Sequence, residues 1–184
     1  MRIGGIVVKI TLPLNDQNYL LDAYGKYSAE SERSAGNCIL SFPISLDDVP
    51  QGTQSLALAF YDFDSIPVCG FAWIHWLACN IDPSTCEIPE GAARDPYWGA
   101  IQGSNSVVSR FNETVQEVGV QEAHKIVQGY IGPCPPDKDH QYTLRVYALD
   151  VALDLEAGYF ANTFHWAIQD HILDMVECNF WSRA

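Results

Sequence analysis

Positive charge is scarce in this chain: 10 lysines and arginines stand against 23 aspartates and glutamates, a formal net charge of -13. Nucleic acids and anionic membrane surfaces are held through clusters of Lys and Arg. The few cations here are scattered, with no polybasic patch, so neither partner is expected. Long apolar runs are also missing, and no stretch is long enough to cross a bilayer as a helix. The opening Met1-Arg2-Ile3-Gly4-Gly5-Ile6 has neither a long apolar h-region nor an Ala-x-Ala cleavage site. Six cysteines occur at 38, 69, 79, 86, 134 and 178, without a Cys-x-x-Cys or a zinc-type Cys/His spacing. Cys79 follows Trp76-Leu77-Ala78, where a free thiol packs as a small hydrophobe. The expectation is a soluble cytoplasmic protein with reduced thiols. No Gly-x-Ser-x-Gly elbow, Gly-rich nucleotide loop or internal repeat is present.

What is there is a folding sequence of 184 residues, 48% hydrophobic and 12% aromatic, large enough to build one core without metal or disulfide staples. A single domain over residues 1–184 is expected. Ser55 to Tyr61 reads as a strand, with Leu56, Leu58, Phe60 and Asp62 sharing one face. Phe71 to Cys79 is apolar on both faces, as in a covered sheet, with His75 in register with Trp73 and Leu77. His140 to Ala148 is a third strand, in which His140, Tyr142, Leu144 and Val146 share a face and Arg145 points away. Gly132-Pro133-Cys134-Pro135-Pro136 is a stiff loop, because three prolines fix φ and remove three donors. A helix is predicted over Thr163 to Cys178 with Asn162 as N-cap. Phe164, Ala167, Ile168, His171, Ile172, Met175 and Val176 would form its buried stripe. A shorter helix, interrupted at Gly119, is predicted within Glu113 to Gln128.

Singly, the ionisable residues have structural explanations: His75 as a satisfied core histidine, His140 as a loop residue, Asp62 and Asp64 as turn formers. His165 and His171 fall on the predicted helix and His124 in a polar stretch. Together they outline a concave site with Asp62 as acceptor and His75, His140 and the Tyr142 hydroxyl as donors, a set that suits phosphate or carboxylate. Pro135 and Trp76 would shape its wall. Catalysis is the weaker reading. Cys134 lies six residues from His140, but its proline neighbours leave a poor oxyanion hole. Two histidines and Asp62 resemble a metal triad in composition only, and Asp62 with Asp64 is a weak glycosidase pair.

At these residues the sequence resembles the phosphatidylethanolamine-binding family, in its bacterial and archaeal Raf-kinase-inhibitor-like branch. The resemblance runs from about Asn37 to the C-terminus. It is carried by Ser41-Phe42-Pro43-Ile44-Ser45, Val49 to Leu58, Asp62-Phe63-Asp64 with Pro67, and Trp73-Ile74-His75-Trp76. Gly129 to Pro136 with His140-Gln141-Tyr142 and Val146 to Asp150, then His171-Ile172-Leu173, complete it. It implies a mainly β fold of large antiparallel sheets with a few peripheral helices, one of them C-terminal. By position it implies a ligand pocket of Asp62, His75, Gly132, Pro135, His140 and Tyr142, with no catalytic residue, metal or cofactor. It further implies a small anionic ligand, a protein target such as a kinase or protease in some members, and a homodimer. Three positions depart from the family pattern. Phe63 replaces a proline between the aspartates, residues 107–128 form a probable insertion, and Trp181 stands where relatives carry tyrosine. The leading expectation is a regulatory anion-binding protein. The alternatives are an inhibitor that docks through the pocket rim and the 107–128 segment, and a hydrolase that uses the pocket histidines.

Overall fold

The computed structural model describes residues 8–95 and 98–184. The described residues form ten strands: β1 (Lys9–Thr11), β2 (Arg33–Ser34), β3 (Asn37–Cys38), β4 (Ile44–Asp47), β5 (Ser55–Asp62), β6 (Trp73–Ile81), β7 (Glu87–Ile88), β8 (Ile101–Gln102), β9 (His140–Leu149) and β10 (Ile172–Ser182). Four short helices accompany them: α1 (Ile66–Cys69), α2 (Phe111–Val118), α3 (Val120–Val127) and α4 (Ala161–Ile168). The main sheet is antiparallel, in the order β10-β9-β5-β6-β8. A three-stranded sheet, β1-β4-β7, and the β2-β3 hairpin complete the β structure.

Strict alternation along β5 sorts its side chains between two cores. Leu56, Leu58 and Phe60 join Ile44, Leu46 and Ile88 of the smaller sheet, while Ala57 and Ala59 face Leu153, Phe164 and Ile168 beneath α4. On β9, Tyr142, Leu144 and Val146 belong to the first core and Tyr147 and Leu149 to the second, with Arg145 turned toward Glu177, as the sequence pattern requires. Phe42 lies at the centre of the first core, edge-on to Tyr24, Phe60, Trp76, Tyr130 and Phe180.

The C-terminal region corrects the helix boundary. A helix is there, but α4 ends at Ile168, and Asn162 lies inside it rather than at its N-cap, which is Phe160. From Ile172 to Ser182 the chain is strand, paired with β9 in one register from Asp174 onward after an irregularity at Leu173. The apolar residues at 175, 176, 178 and 180 fit either period, and the open edge of β9 decides between them by satisfying the backbone of the whole segment. As a strand, the segment sends Val176, Cys178 and Phe180 to one core and Met175 to the other. Trp181 bridges Tyr19 near the chain's end, with the two rings 6.5 Å apart.

The 107–128 segment forms a helical hairpin. A 3-10 turn, Ser106–Arg110, leads into α2, and Gly119 at φ +81° breaks α2 from α3. Asn105 clamps both ends. Its Oδ1 accepts from the Val107 N–H, and its Nδ2 donates to the carbonyls of Ile126 (2.6 Å) and Gly129 (3.0 Å). Val107, Ile126 and Val127 bury against Ile131 in a third, small core. All six cysteines are free thiols, and no helix among the described residues is long and apolar enough to cross a membrane.

Candidate functional site

Asp62 ends β5 and His140 begins the neighbouring β9, so the ladder sets them side by side at one rim of the main sheet. His140 Nδ1 lies 2.7 Å from Asp62 Oδ2, and Nε2 lies 2.9 Å from Asp137 Oδ1. A carboxylate only accepts, so both nitrogens must carry hydrogens for both bonds to form, which makes the ring an imidazolium. Burial opposes that charge, but the bonds to Asp62 and Asp137 outweigh it and hold the His140 pKa above its ordinary value. The ring is fully shielded, whereas Asp137 is about half exposed, and the His140 bond lowers the Asp137 pKa.

Asp62 is fixed from its other side. Its Oδ1 accepts from the Ser65 N–H at 3.0 Å. The Ser65 hydroxyl links the Asp62 and Phe71 carbonyls and accepts from the Trp73 N–H, all within 2.8 Å. Asp64 accepts from the Gln141 N–H at 2.9 Å, tying the loop to β9. These bonds brace the turn that carries Phe63, which itself stacks on Tyr61 at the surface.

His75 reaches the site through an irregularity invisible in the sequence. The β5–β6 register runs Phe60↔Trp76, then Tyr61↔Ile74, leaving His75 as the extra residue of a β-bulge. Trp73 opposite Asp62 and Trp76 opposite Phe60 share the first-core face. The bulge turns the His75 ring to that side, 5.2 Å from both Phe60 and Tyr142. His75 is therefore in register with Trp73, as expected, but not with Leu77, which packs in the opposite core. Its Nδ1 donates to the Ile131 carbonyl at 2.7 Å, a partner that only accepts, so Nε2 of the neutral ring is an acceptor. Burial lowers the His75 pKa to about 4. His75 thus spends its donor on Ile131, and His140 spends both of its donors on carboxylates. Tyr142 is nearly inaccessible, and burial together with the Asp62 charge keeps its hydroxyl protonated.

Asp62, His75, Gly132, His140 and Tyr142 all line one cavity of about 390 Å³. Pro135 does not: Cys134 and Pro136 face the cavity while Pro135 is buried between them, as alternation along an extended segment dictates. Its carbonyl accepts from Lys26 Nζ at 3.2 Å. Trp76 is also displaced from its expected role. It is fully buried with its Nε1 donating to Gln102, and Trp73 forms the wall instead. Gly132 is required by close approach, since a Cβ there would lie 2.5 Å from the Tyr24 carbonyl and 2.8 Å from Cys38 Cβ. The other histidines serve elsewhere: His171 pairs with Asp150, His124 packs on Phe111 and His165 is exposed. No metal-holding cluster of His, Cys, Asp and Glu occurs among the described residues.

Several wall residues escaped the sequence reading, and Arg110, from the 3-10 turn of the 107–128 segment, is the one Lys or Arg among the described residues that line the cavity. Nothing in its sequence neighbourhood marked it, because its place depends on how the segment folds back over β6.

The comparisons agree with this architecture. A family model described as "Phosphatidylethanolamine-binding protein" matches residues 13–181. The uncharacterised protein YxkA of Bacillus subtilis (strain 168) is 46% identical over 90% of this chain and 95% of its own length. A UPF0098 protein of Methanothermobacter thermautotrophicus is 36% identical over 73% of this chain and 76% of its own. Among solved structures, a putative phosphatidylethanolamine-binding protein homologue, CT736 of Chlamydia trachomatis, superposes with a TM-score of 0.71 at 28% identity over 98% of both chains. YbcL of E. coli, titled a member of the mammalian PEBP family, shares the fold with a TM-score of 0.72 at 22% identity, over 96% of this chain and 98% of its own. With its fold and 169-residue-long match (residues 13–181) in agreement, the chain belongs to the phosphatidylethanolamine-binding protein family.

Proposed function

We propose that the protein is a non-catalytic, regulatory binder of small organic anions, phosphate-like or carboxylate, held in the cavity between the ends of β5, β6 and β9. The observation that carries this reading is the state of His140. A shielded imidazolium forms part of the cavity wall, and one of its two carboxylate partners, Asp137, stands on an exposed loop. An incoming anionic oxygen can replace Asp137 at Nε2 while Asp62 keeps the ring charged from behind. The aromatic walls and the Tyr142 hydroxyl supply the apolar lining and few convergent polar groups typical of ligand sites.

The absence of catalysis is part of the proposal. With both nitrogens committed to carboxylates, His140 has no lone pair to take a proton from Cys134 or from water. His75, with its pKa lowered to about 4, is a weak base at neutral pH.

Thermal unfolding with phosphate, phosphoethanolamine and acetate tests the reading. A ligand at 100 times its dissociation constant stabilises by about 2.7 kcal/mol, a rise of roughly 5–10 °C for a chain of this size. The rise should vanish in His140→Ala and His140→Gln. No rise with any ligand, or equal rises in wild type and both variants, would refute the site. A docked protein target is favoured by one feature: Phe63, Ile66, Val68 and Phe71 are all exposed on the 63–71 segment, whose Val68 lines the cavity rim. Reversing that rim by Ile66→Lys and Phe71→Lys should then abolish partner capture and spare anion binding.

A further inference from the structure

If the cavity takes an anion, the charges already in its wall do not explain how. Besides Arg110, the carboxylate and imidazole groups that line it among the described residues are Asp62, His75 and His140. Asp62 and the His140 imidazolium neutralise each other at 2.7 Å, and Asp137 adds a further negative charge at the Nε2 edge of the ring. His75 is uncharged near neutrality because burial lowers its pKa to about 4. In a protein of net charge -13, a site with this balance repels anions unless a cation is added.

We infer that Arg110 is the specificity-determining residue of the cavity: its guanidinium supplies the fixed positive charge for a phosphomonoester, and the 107–128 segment serves to place it there. This inference rests on the anion-binding reading above and adds the ligand class and the role of the segment. The placement is specific. Ser106, at the start of the same 3-10 turn, accepts a 2.8 Å hydrogen bond from the Ile74 N–H of β6, next to His75. Asn105 clamps the turn from the other side through Val107, Ile126 and Gly129. Arg110 therefore stands on a backbone pinned to the site-bearing strand rather than on a free excursion.

The side chain is uncommitted. Arg110 is exposed and has no carboxylate partner among the described residues. Lys9, Arg94, Lys125, Arg145 and Arg183 all hold one. Its one side-chain hydrogen bond, to Asn37 Oδ1 at 3.2 Å, uses a neutral acceptor. Its Cζ lies 5.9 Å from the Trp73 ring centroid, and Phe71 stacks on Trp73 at 5.7 Å. That leaves most of the planar N–H fork for two oxygens of one ligand group.

The cavity also says something of the rest of the ligand. At about 390 Å³ it exceeds what a bare oxyanion fills, and the Trp73 indole beside Arg110 forms part of its wall. A phosphomonoester bridging Arg110 and His140 would lay its substituent on that indole. Soluble phosphoesters and phosphate-headed lipids share this chemistry.

The test uses the full chain at pH 8, where the phosphate is a dianion and His75 is neutral. Phenyl phosphate is titrated by calorimetry, and phosphatidylcholine vesicles with and without phosphatidic acid are used for co-sedimentation. Whichever probe the wild type binds, Arg110→Gln should weaken about tenfold or more. Arg110→Lys should fall between, since it keeps the charge and loses the fork. Raising salt should weaken the wild type and leave Arg110→Gln nearly unaffected. The ligand-free unfolding midpoints should agree within about 2 °C, as for other exposed substitutions. Equal affinity in wild type and Arg110→Gln would overturn the role of Arg110 and leave the anion site standing. Failure of the wild type to bind either probe would overturn the phosphomonoester assignment, and failure with acetate as well would overturn the anion site.

Discussion

His75 gives the most quantitative consequence of the site's geometry. In the unfolded chain its pKa is near 6.5, and burial in the folded protein lowers it to about 4. The unfolded state therefore binds more protons between these values. The corresponding stability is fully present above pH 6.5, lost progressively as pH falls, and exhausted near pH 4. A shift of this size is worth about 3 kcal/mol at its limit, and most of it is spent between pH 7 and pH 4.5. His140 acts oppositely. Its raised pKa stabilises the fold below pH 6.5, and that contribution is lost as pH rises through the raised value. Urea unfolding of wild type and His75→Gln across pH 4.5 to 8 separates the two, because only the His75 contribution differs. The variant should be destabilised at pH 8, through loss of the 2.7 Å bond to Ile131, and should then lose about 2 to 3 kcal/mol less than wild type on acidification. Nitrogen-15 spectra of the histidine rings give a second readout: His75 should remain neutral, with Nδ1 protonated, down to about pH 5. Parallel pH profiles, or titration of His75 near 6.5, would refute the assignment.

Other consequences follow from single contacts. Asp137→Ala removes one of the two acceptors of His140, so the His140 pKa should fall in an NMR titration while phosphoethanolamine binds more tightly; weaker binding would contradict a displaceable carboxylate. Gly132→Ala forces a methyl to within 2.5 Å of the Tyr24 carbonyl and should cost about 2 kcal/mol or more in urea unfolding; a change below about 0.5 kcal/mol would show that the loop yields freely. Phe42→Ala, at the centre of five edge-on aromatic contacts, should cost about 3 to 5 kcal/mol.

Much of the fold was legible wherever alternation is strict. On β5 and β9 every second residue is large and apolar, which fixed the phase of Asp62, His140 and Tyr142 and hence their common face. What could not be read depended on pairing between distant segments. The bulge at His75 arises only where β6 meets β5, and without it the ring would face away from Tyr142. The stretch from Ile172 to Ser182 matched a helical stripe as well as a strand, and only the free edge of β9 resolves it. In the proline-rich loop the residue type was right and the phase was off by one, so Cys134 and Pro136 face the cavity instead of Pro135. Arg110 carried no local signal, because its proximity to Asn37 and Trp73 is created by the folding of the 107–128 segment.

The central claim is that the cavity at the ends of β5, β6 and β9 receives an anion. Amide chemical-shift mapping with phosphoethanolamine at pH 8 tests it most directly, because it reports where a ligand sits as well as whether it binds. The expected result is a saturable set of shifts centred on Trp73, Arg110, Gly132, Cys134, His140 and Tyr142, absent in His140→Ala. Saturable shifts centred instead on the groove beside Arg94 and Lys125, or no saturable shift at any concentration, would contradict the account.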